Sequence, residues 1–327
     1  MKNVFVAGAL SVVMSGGVVP AFAHNHQVTA ESPQVETATA GFYRFQVGEL
    51  TVTALSDGTV KLPVDKLLQG MPAAQITQQL AYHYQAAPLE TSVNGYVVQD
   101  GEHTVLIDAG AAGLFGPTLG KLNQNLVAAG IDPASIDEVY ITHLHPDHVG
   151  GLLHNNEPAF PNARIRMAQA DYDFWLSEDN MNAAAEADKG FFQGAMVSLQ
   201  PYVERGKVAP FATNEQLLAG VQAIDNHGHT PGHTVYSIAS NGEKLLFWGD
   251  LMHVAAVQFE HPRVTIAFDS DQTQARAQRL KVFAEAAREG YMVAGAHLSF
   301  PGVGRLRAQQ DGYDFIPLNF SPTGFTK

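Results

Sequence analysis

The chain of 327 residues contains no cysteine. This absence excludes disulfide bonds and thiolate metal ligands, so any bound metal must be held by histidine, aspartate or glutamate. Histidine is plentiful by contrast, with 14 residues. Their positions along the chain are therefore the first guide to a site.

Positive charge is also scarce. Lysine and arginine total 19 against 32 aspartates and glutamates, a formal net charge of −13. Nucleic acids and anionic membrane surfaces attract basic proteins, so we expect neither as a partner. The 46% apolar and 16% charged residues are typical of a globular protein with a substantial core. The acidic net charge does not argue against a small neutral substrate.

Long apolar runs are missing except at the start, MKNVFVAGALSVVMSGGVVPAFAHN. A basic Lys2, an apolar stretch and Ala21-Phe22-Ala23 together predict a secretory signal peptide over residues 1–23. The alternative is a membrane anchor, but the apolar run is interrupted by SGG and is shorter than the ~20 residues that span a bilayer. We expect a flexible leader over residues 24–40 and a secreted or periplasmic mature protein.

From residue 41 to 327, short apolar strands alternate with helices, without a repeat or an obvious linker. This pattern predicts one α/β domain with two packed sheets and helices outside. The stretch DQTQARAQRLKVFAEAAREG predicts a helix with Leu280, Phe283 and Ala287 on one side. The strands EVYIT, VQAIDN, EKLLFW and YMVAGA each end at or just before a histidine or aspartate, so these side chains should meet at one rim.

The segment THLHPDHVGG (residues 142–151) is the strongest local signal. His143 and His145 alternate at a strand end and can point the same way, whereas Asp147 and His148 follow Pro146 into a helix. A metal needs three or four protein ligands, so this loop supplies two incomplete sets. Further candidates stand in GHTPGH, FWGD and GAHLSF, namely His233, Asp250 and His297.

These residues, in this order and with the TPGH context, resemble the metallo-β-lactamase superfamily of binuclear hydrolases from about residue 42 to the end. The resemblance implies an αβ/βα sandwich with two metal ions at the rim between the sheets. It assigns the first ion to His143, His145 and His233, the second to Asp147, His148 and His297, and a bridging role to Asp250. Asp108 and His229 would lie behind the ligands and orient them.

Several other stretches, among them ALSDGTVKLPVDK, APLETSVNGYVV and AHLSFPGVG, resemble the organophosphate hydrolase branch typified by methyl parathion hydrolases. The resemblance implies a secreted homodimer that cleaves phosphotriesters of the methyl parathion and paraoxon type by attack of a metal-bridging hydroxide. Asp147 and Asp250 are its catalytic residues, and the two divalent ions are expected to be zinc, with cobalt, manganese and iron open. The alternatives are a lactonase or arylesterase with secondary phosphotriesterase activity and, more distantly, a non-catalytic periplasmic metal-binding protein.

The resemblance also implies a pocket for a small, apolar, neutral ester above the metals, although aromatic residues at these positions could equally belong to the core. His253 departs from the branch, in which an aliphatic residue is expected. The predicted pocket residues are Phe115, Trp175, Phe191, Phe192, His253, Ile266, Phe268 and Leu67.

Overall fold

The computed structural model describes residues 39–322. The predicted signal peptide, at residues 1–23, and nearly all of the predicted leader lie outside the described residues. Within the described residues no helix is both long and apolar enough to cross a membrane.

Sixteen strands lie within the described residues. In chain order they are β1 (Phe42–Val47), β2 (Leu50–Leu62), β3 (Leu68–Gln69), β4 (Leu89–Gln99), β5 (Thr104–Ile107), β6 (Glu138–Tyr140), β7 (Leu153–His154), β8 (Glu157–Pro158), β9 (Arg164–Arg166), β10 (Gln222–Asp225), β11 (Thr234–Ser240), β12 (Glu243–Phe247), β13 (Thr265–Ile266), β14 (Met292–Ala294), β15 (Val303–Ala308) and β16 (Tyr313–Pro317).

The helices lie between and after these strands. They are α1 (Val64–Leu67), α2 (Ala73–Tyr82), α3 (Leu122–Ala128), α4 (Pro146–Val149), α5 (Gln169–Trp175), α6 (Glu178–Ala183), α7 (Lys189–Glu204), α8 (Ala255–Gln258) and α9 (Gln272–Glu289). Short 3₁₀ turns occur at Pro133–Ser135, Gly150–Leu152 and Leu218–Gly220.

Two six-stranded sheets organise the fold. Their strand orders are β1-β2-β4-β5-β6-β9 and β10-β11-β12-β14-β15-β16. Strands β5, β6 and β9 run parallel, as do β12 and β14, whereas β11 and β12 form the antiparallel hairpin that HTVYSIASNG and EKLLFW predict. Parallel strands buried on both faces explain why these segments are apolar almost throughout.

The core divides into layers that follow the alternation of side chains along each strand. Tyr236 and Phe247 pack between the two sheets. On the outer face of the first sheet, Val139 packs in one cluster with Leu126 of α3 and Leu199 of α7. On the outer face of the second sheet, Leu246, Val293 and Phe283 of α9 form another cluster. The resulting helix–sheet–sheet–helix order is the predicted αβ/βα sandwich.

Helix α9 confirms a predicted element but buries a different face. Asp271 caps its start by accepting hydrogen bonds from the N–H groups of Thr273 and Gln274, and Gly290 ends it in the left-handed conformation. The buried positions are Ala275, Arg279, Val282, Phe283 and Ala286. The predicted stripe of Leu280, Phe283 and Ala287 was therefore partly wrong, because periodicity alone treats the buried Arg279 as a surface residue.

Candidate metal centre

The loop after β6 reaches the rim between the sheets and turns at once into α4. Pro146 occupies the first helical position, where its fixed φ and missing N–H match the start of a helix. The short helix aims Asp147 and His148 inward, and both are buried together with His143 and His145. The predicted division of this loop into two pairs of side chains is therefore present in the structure.

Two groups of buried residues bring their possible ligand atoms within 4.8 Å of one another. The first group is His143, His145, His229 and Asp250, and the second group is Asp147, His148, Asp250 and His297. Asp250 belongs to both, as expected of a bridging carboxylate. A shared anion offsets the repulsion between two nearby cations.

Imidazole rings surround the Asp250 carboxylate. Nε2 atoms of five histidines lie within 3.6 Å of its oxygens: His253 at 3.0 Å, His297 at 3.1 Å, His148 at 3.2 Å, His229 at 3.3 Å and His143 at 3.6 Å. Burial alone would raise the pKa of Asp250, but these histidines, with His297 and His148 foremost, hold it well below the usual range. Asp250 is therefore an anion at neutral pH.

The far side of five of the histidine rings is anchored, which orients the near side. Partners at the Nδ1 atoms lie at hydrogen-bond distance: Asp108 for His148 at 2.8 Å, the Ser92 carbonyl for His297 at 2.9 Å, Asp269 for His229 at 2.9 Å, Thr142 Oγ1 for His143 at 3.0 Å and the Asn226 carbonyl for His233 at 3.1 Å. These acceptors assign a proton to Nδ1, so that Nε2 is the nitrogen that faces inward. Such a tautomer is the one that a metal ligand needs.

The donor set fits two divalent cations. Among the described residues, His148 Nε2 and Asp250 Oδ1 have no hydrogen-bond partner although both are buried. His143 Nε2 and His229 Nε2 face each other at 3.2 Å, an approach that two lone pairs tolerate only with a proton or cation nearby. Buried polar atoms left unpaired are costly, and histidine with carboxylate is a donor set suited to zinc and related ions.

Without metal, the histidines of the centre differ in how strongly they hold a second proton. Burial lowers the pKa of His143 and His145, and neighbouring imidazoles lower it further. Burial also opposes a charge on His148 and His297, but Asp250 and Asp147 outweigh it and raise the pKa of both rings. The carboxylates of the second group therefore favour protons where cations would otherwise bind.

Six of the seven predicted ligands belong to these groups, and His233 stands beside them. Its Nε2 accepts a hydrogen bond from the Asp250 N–H at 3.1 Å, and its ring lies 5.4 Å from that of His143. His229, predicted to lie behind the ligands, instead has its Nε2 3.2 Å from His145 Nδ1. Asp108 lies behind His148 as predicted, whereas the role of each single ligand stays a prediction.

Aromatic side chains close over the centre. Phe191 and Trp175 contact the His145 ring at centroid distances of 4.8 and 5.1 Å, and Phe268 lies 6.2 Å from Phe191. The ring of His253 stacks on His297 at 5.1 Å. A space of about 10 Å³ remains above Asp147 and Asp250 between Phe115, Phe191, His253 and Phe268, enough for about one water molecule.

A larger cleft of about 470 Å³ opens beside this space, lined by Trp175, Phe191, Phe192 and Phe268 among others. Phe192 packs behind Trp175 at 4.6 Å and also belongs to the core of the first sheet. The remaining predicted pocket residues lie further back: Ile266 is fully buried in β13, and the Leu67 carbonyl accepts the Ala267 N–H at 2.8 Å. Both support the segment that carries Phe268.

Sequence reasoning missed Asp171, which ties the two ligand-bearing loops together. Its carboxylate accepts hydrogen bonds from the Leu144 N–H, the Thr230 hydroxyl and the Gly232 N–H. Burial raises the pKa of Asp171 to about 6 despite these bonds. An aspartate in the first turn of a predicted helix carries no local sign of such contacts, and the same holds for the buried Asp269 and Arg279.

The fold and the two groups are those of a metal-dependent hydrolase with two candidate metal sites. A sequence profile of the metallo-β-lactamase superfamily matches residues 89–297, and the chain belongs to that superfamily. No curated protein sequence gives a significant match.

Solved structures agree with this assignment. The hydrolase AbOPH of the beta-lactamase superfamily is 34% identical with a TM-score of 0.83, over 87% of this chain and 100% of that one. AidC, a dizinc quorum-quenching lactonase solved with the product N-hexanoyl-L-homoserine, is 28% identical with a TM-score of 0.79, over 86% of this chain and 98% of that one. A probable metal-dependent hydrolase from Staphylococcus aureus shares the fold at 18% identity and a TM-score of 0.67, over 84% of this chain and 99% of that one.

Proposed function

We propose that this metal-dependent hydrolase acts on small, neutral, apolar esters, with lactones and aryl esters preferred and organophosphate triesters as a secondary class. The observation that carries the preference is the buried ring of His253, which narrows the space above the carboxylates on one side. A planar ester carbonyl needs less room there than a phosphorus atom with three bulky substituents. The similarity to AidC, a lactonase, supports the same order.

Two divalent cations held by the two groups would supply an activated water nucleophile at neutral pH and polarise the oxygen of the scissile bond. The residues of the chain provide the rest. Asp250, anionic and shared, balances charge in both groups, and Asp147 adds a second carboxylate 3.4 Å from His297 Nε2. We assign the catalytic roles to these two aspartates.

His253 is placed to assist the leaving group. The ring is buried, and neither nitrogen has a well-aligned hydrogen bond among the described residues. Burial lowers the pKa of His253 in spite of Asp250, so the ring is neutral at pH 7 and carries one N–H. A neutral donor beside the reacting centre can hydrogen-bond to an alkoxide or carboxylate oxygen as it forms.

The aromatic walls account for the expected kind of substrate. Trp175, Phe191 and Phe268 offer flat apolar surfaces that bury an acyl chain or an aryl group and keep bulk water out. The cleft of about 470 Å³ also has room for the aryl leaving group of a phosphotriester, which is why that class remains the second candidate.

The proposal is tested by kcat/KM of the metal-replete protein on dihydrocoumarin and on a dimethyl aryl phosphotriester, measured side by side. We expect the lactone to be the better substrate and His253→Ala to narrow the difference, because a smaller apolar side chain enlarges the space above the carboxylates. His261→Ala, at an exposed position, is the matched control. A wild-type preference for the triester would overturn the order proposed here.

The proposal includes export to the periplasm and assembly as a homodimer. The N-terminal sequence pattern supports export, and the resemblance to the organophosphate hydrolase branch supports the dimer. We expect N-terminal sequencing of protein from the periplasmic fraction to begin at His24, and light scattering to give twice the chain mass. Retention of residues 1–23 or a monomeric mass would contradict the corresponding part.

A further inference from the structure

A charged side chain lies fully buried in the middle of α9. The Arg279 guanidinium donates to the carbonyl of Leu251 at 2.6 Å, to that of Pro262 at 3.3 Å and to that of Val264. Its remaining nitrogen, Nη2, lies 3.8 Å from the carboxylate of Asp269. Burying a cation is costly unless it is paired and hydrogen-bonded, and these contacts meet that condition.

The carbonyl partners of Arg279 belong to two segments that lead to the metal centre. Leu251 follows Asp250 directly, and residues 262–264 precede the strand that leads to Phe268 and Asp269. A single guanidinium therefore joins the segment of the shared carboxylate to the segment of the pocket wall.

Asp269 connects this cation to the first group. Its Oδ1 lies 2.9 Å from His229 Nδ1, and its Oδ2 accepts the Ile266 N–H at 3.1 Å. With the Nδ1 proton donated to Asp269, Nε2 is the nitrogen of His229 that faces His143, His145 and Asp250, at 3.2 to 3.3 Å, and it can bind a cation once its own proton is released. A carboxylate behind a histidine fixes its tautomer and makes it a stronger metal donor.

We propose that Asp269, braced by Arg279, is a positioning residue that holds His229 as a donor of the first group and thereby sets the metal affinity of that group. The inference rests on the metal centre of the proposed hydrolase and is independent of its substrate. It distinguishes His229 from His233, whose Nδ1 is held by a backbone carbonyl and has no carboxylate behind it.

The test is a double-mutant cycle on metal affinity, measured without substrate by competition against a chromophoric chelator. We expect Asp269→Asn, which removes the charge with little change of shape, to weaken the more affected zinc ion by about 10–100-fold. His229→Ala should weaken the same ion at least as much. Because Asp269 acts through His229, adding Asp269→Asn to His229→Ala should cost no more than about 2-fold further.

A purely structural role for Asp269 predicts a different pattern. Asp269→Asn would then lower stability while both zinc ions bind as in the wild type, or the losses of zinc affinity in Asp269→Asn and His229→Ala would add in the double variant. Either wild-type affinity in Asp269→Asn or additive losses in the double variant overturns the proposal. Asp271→Asn is the matched control, since it makes the same change two residues away at the N-cap of α9, where asparagine caps about as well, and should leave zinc affinity unchanged.

Arg279→Lys gives a second route if Asp269→Asn yields no soluble protein. Lysine keeps the buried positive charge but cannot reproduce the fork of donors that reaches three carbonyls. We expect a loss at the same ion as in His229→Ala, and an unchanged affinity would again overturn the proposal. Because chelator competition uses no ester, failure of the substrate proposal would leave this result interpretable.

Discussion

The two donor groups share Asp250 but differ in how closely they follow the sequence pattern. All four members of the second group were predicted as ligands, since Asp147 and His148 are set by the helix that begins at Pro146. The first group contains His229 where His233 was predicted. Local backbone geometry places the donors of the short loop, whereas the GHTPGH turn offers two histidines and distant partners decide which one faces inward.

Asp250→Ala removes the one residue that both donor groups share, and it should have the largest effect. Both groups lose their shared anion, so we expect zinc content to fall below two per chain and kcat/KM to fall by more than the ~10–100-fold usual for a residue behind the ligands. Atomic absorption and ester hydrolysis measure the two quantities. Asp225→Ala, at the end of β10, is the control, and full activity of metal-replete Asp250→Ala would contradict a dinuclear centre.

The pH dependence of stability and of zinc affinity tests the first donor group separately, because His229 binds either a proton or a metal ion. Burial lowers the pKa of His229, but hydrogen bonds to Asp250 and Asp269 outweigh it and raise the pKa to about 9. Since this pKa is raised on folding, the metal-free protein gains stability below pH 6.5 and loses that gain as pH rises through about 9. Zinc needs the unprotonated ring, so its affinity increases over the same range.

We therefore expect the difference in Tm between zinc-loaded and metal-free protein to widen from pH 6.5 to about 9. Calorimetry in two buffers of different ionisation enthalpy should show proton release on zinc binding. A Tm difference that narrows over this range, or zinc binding without proton release at neutral pH, would contradict the assignment of protons to these histidines.

Asp171→Asn tests the tie between the two loops and should have the smallest effect. Asp171 accepts hydrogen bonds from three donors. In Asp171→Asn an N–H₂ group replaces one of the two acceptor oxygens, so at least one donor loses its partner, which lowers the free energy of unfolding by about 1–3 kcal/mol. Urea denaturation measures this loss, with the exposed Asp173→Asn as control. Equal stability of the two variants would show that the loops hold their positions without the buried carboxylate.

Much of the architecture followed from sequence. Apolar strands such as EVYIT and EKLLFW, and the helical spacing of DQTQARAQRLKVFAEAAREG, predict elements that the structure confirms, and the strand-end rule places the site at the rim. The buried face of α9 was predicted less well because Arg279 reads as a surface residue. Its burial depends on carbonyls of residues 251, 262 and 264, which are distant along the chain.

By itself the sequence determined the fold class, the metal-capable residues and the exclusion of thiolate chemistry, because periodicity, spacing and composition are local or global properties of the chain. Only the tertiary structure decided which ring nitrogens converge on Asp250, which carboxylates stand behind them and how small the space above them is. Those features depend on contacts between segments far apart in sequence, such as Asp269 with His229 and Asp171 with Leu144 and Gly232. No local sequence pattern predicts such contacts, because these side chains find their hydrogen-bond partners only after the two sheets have packed together.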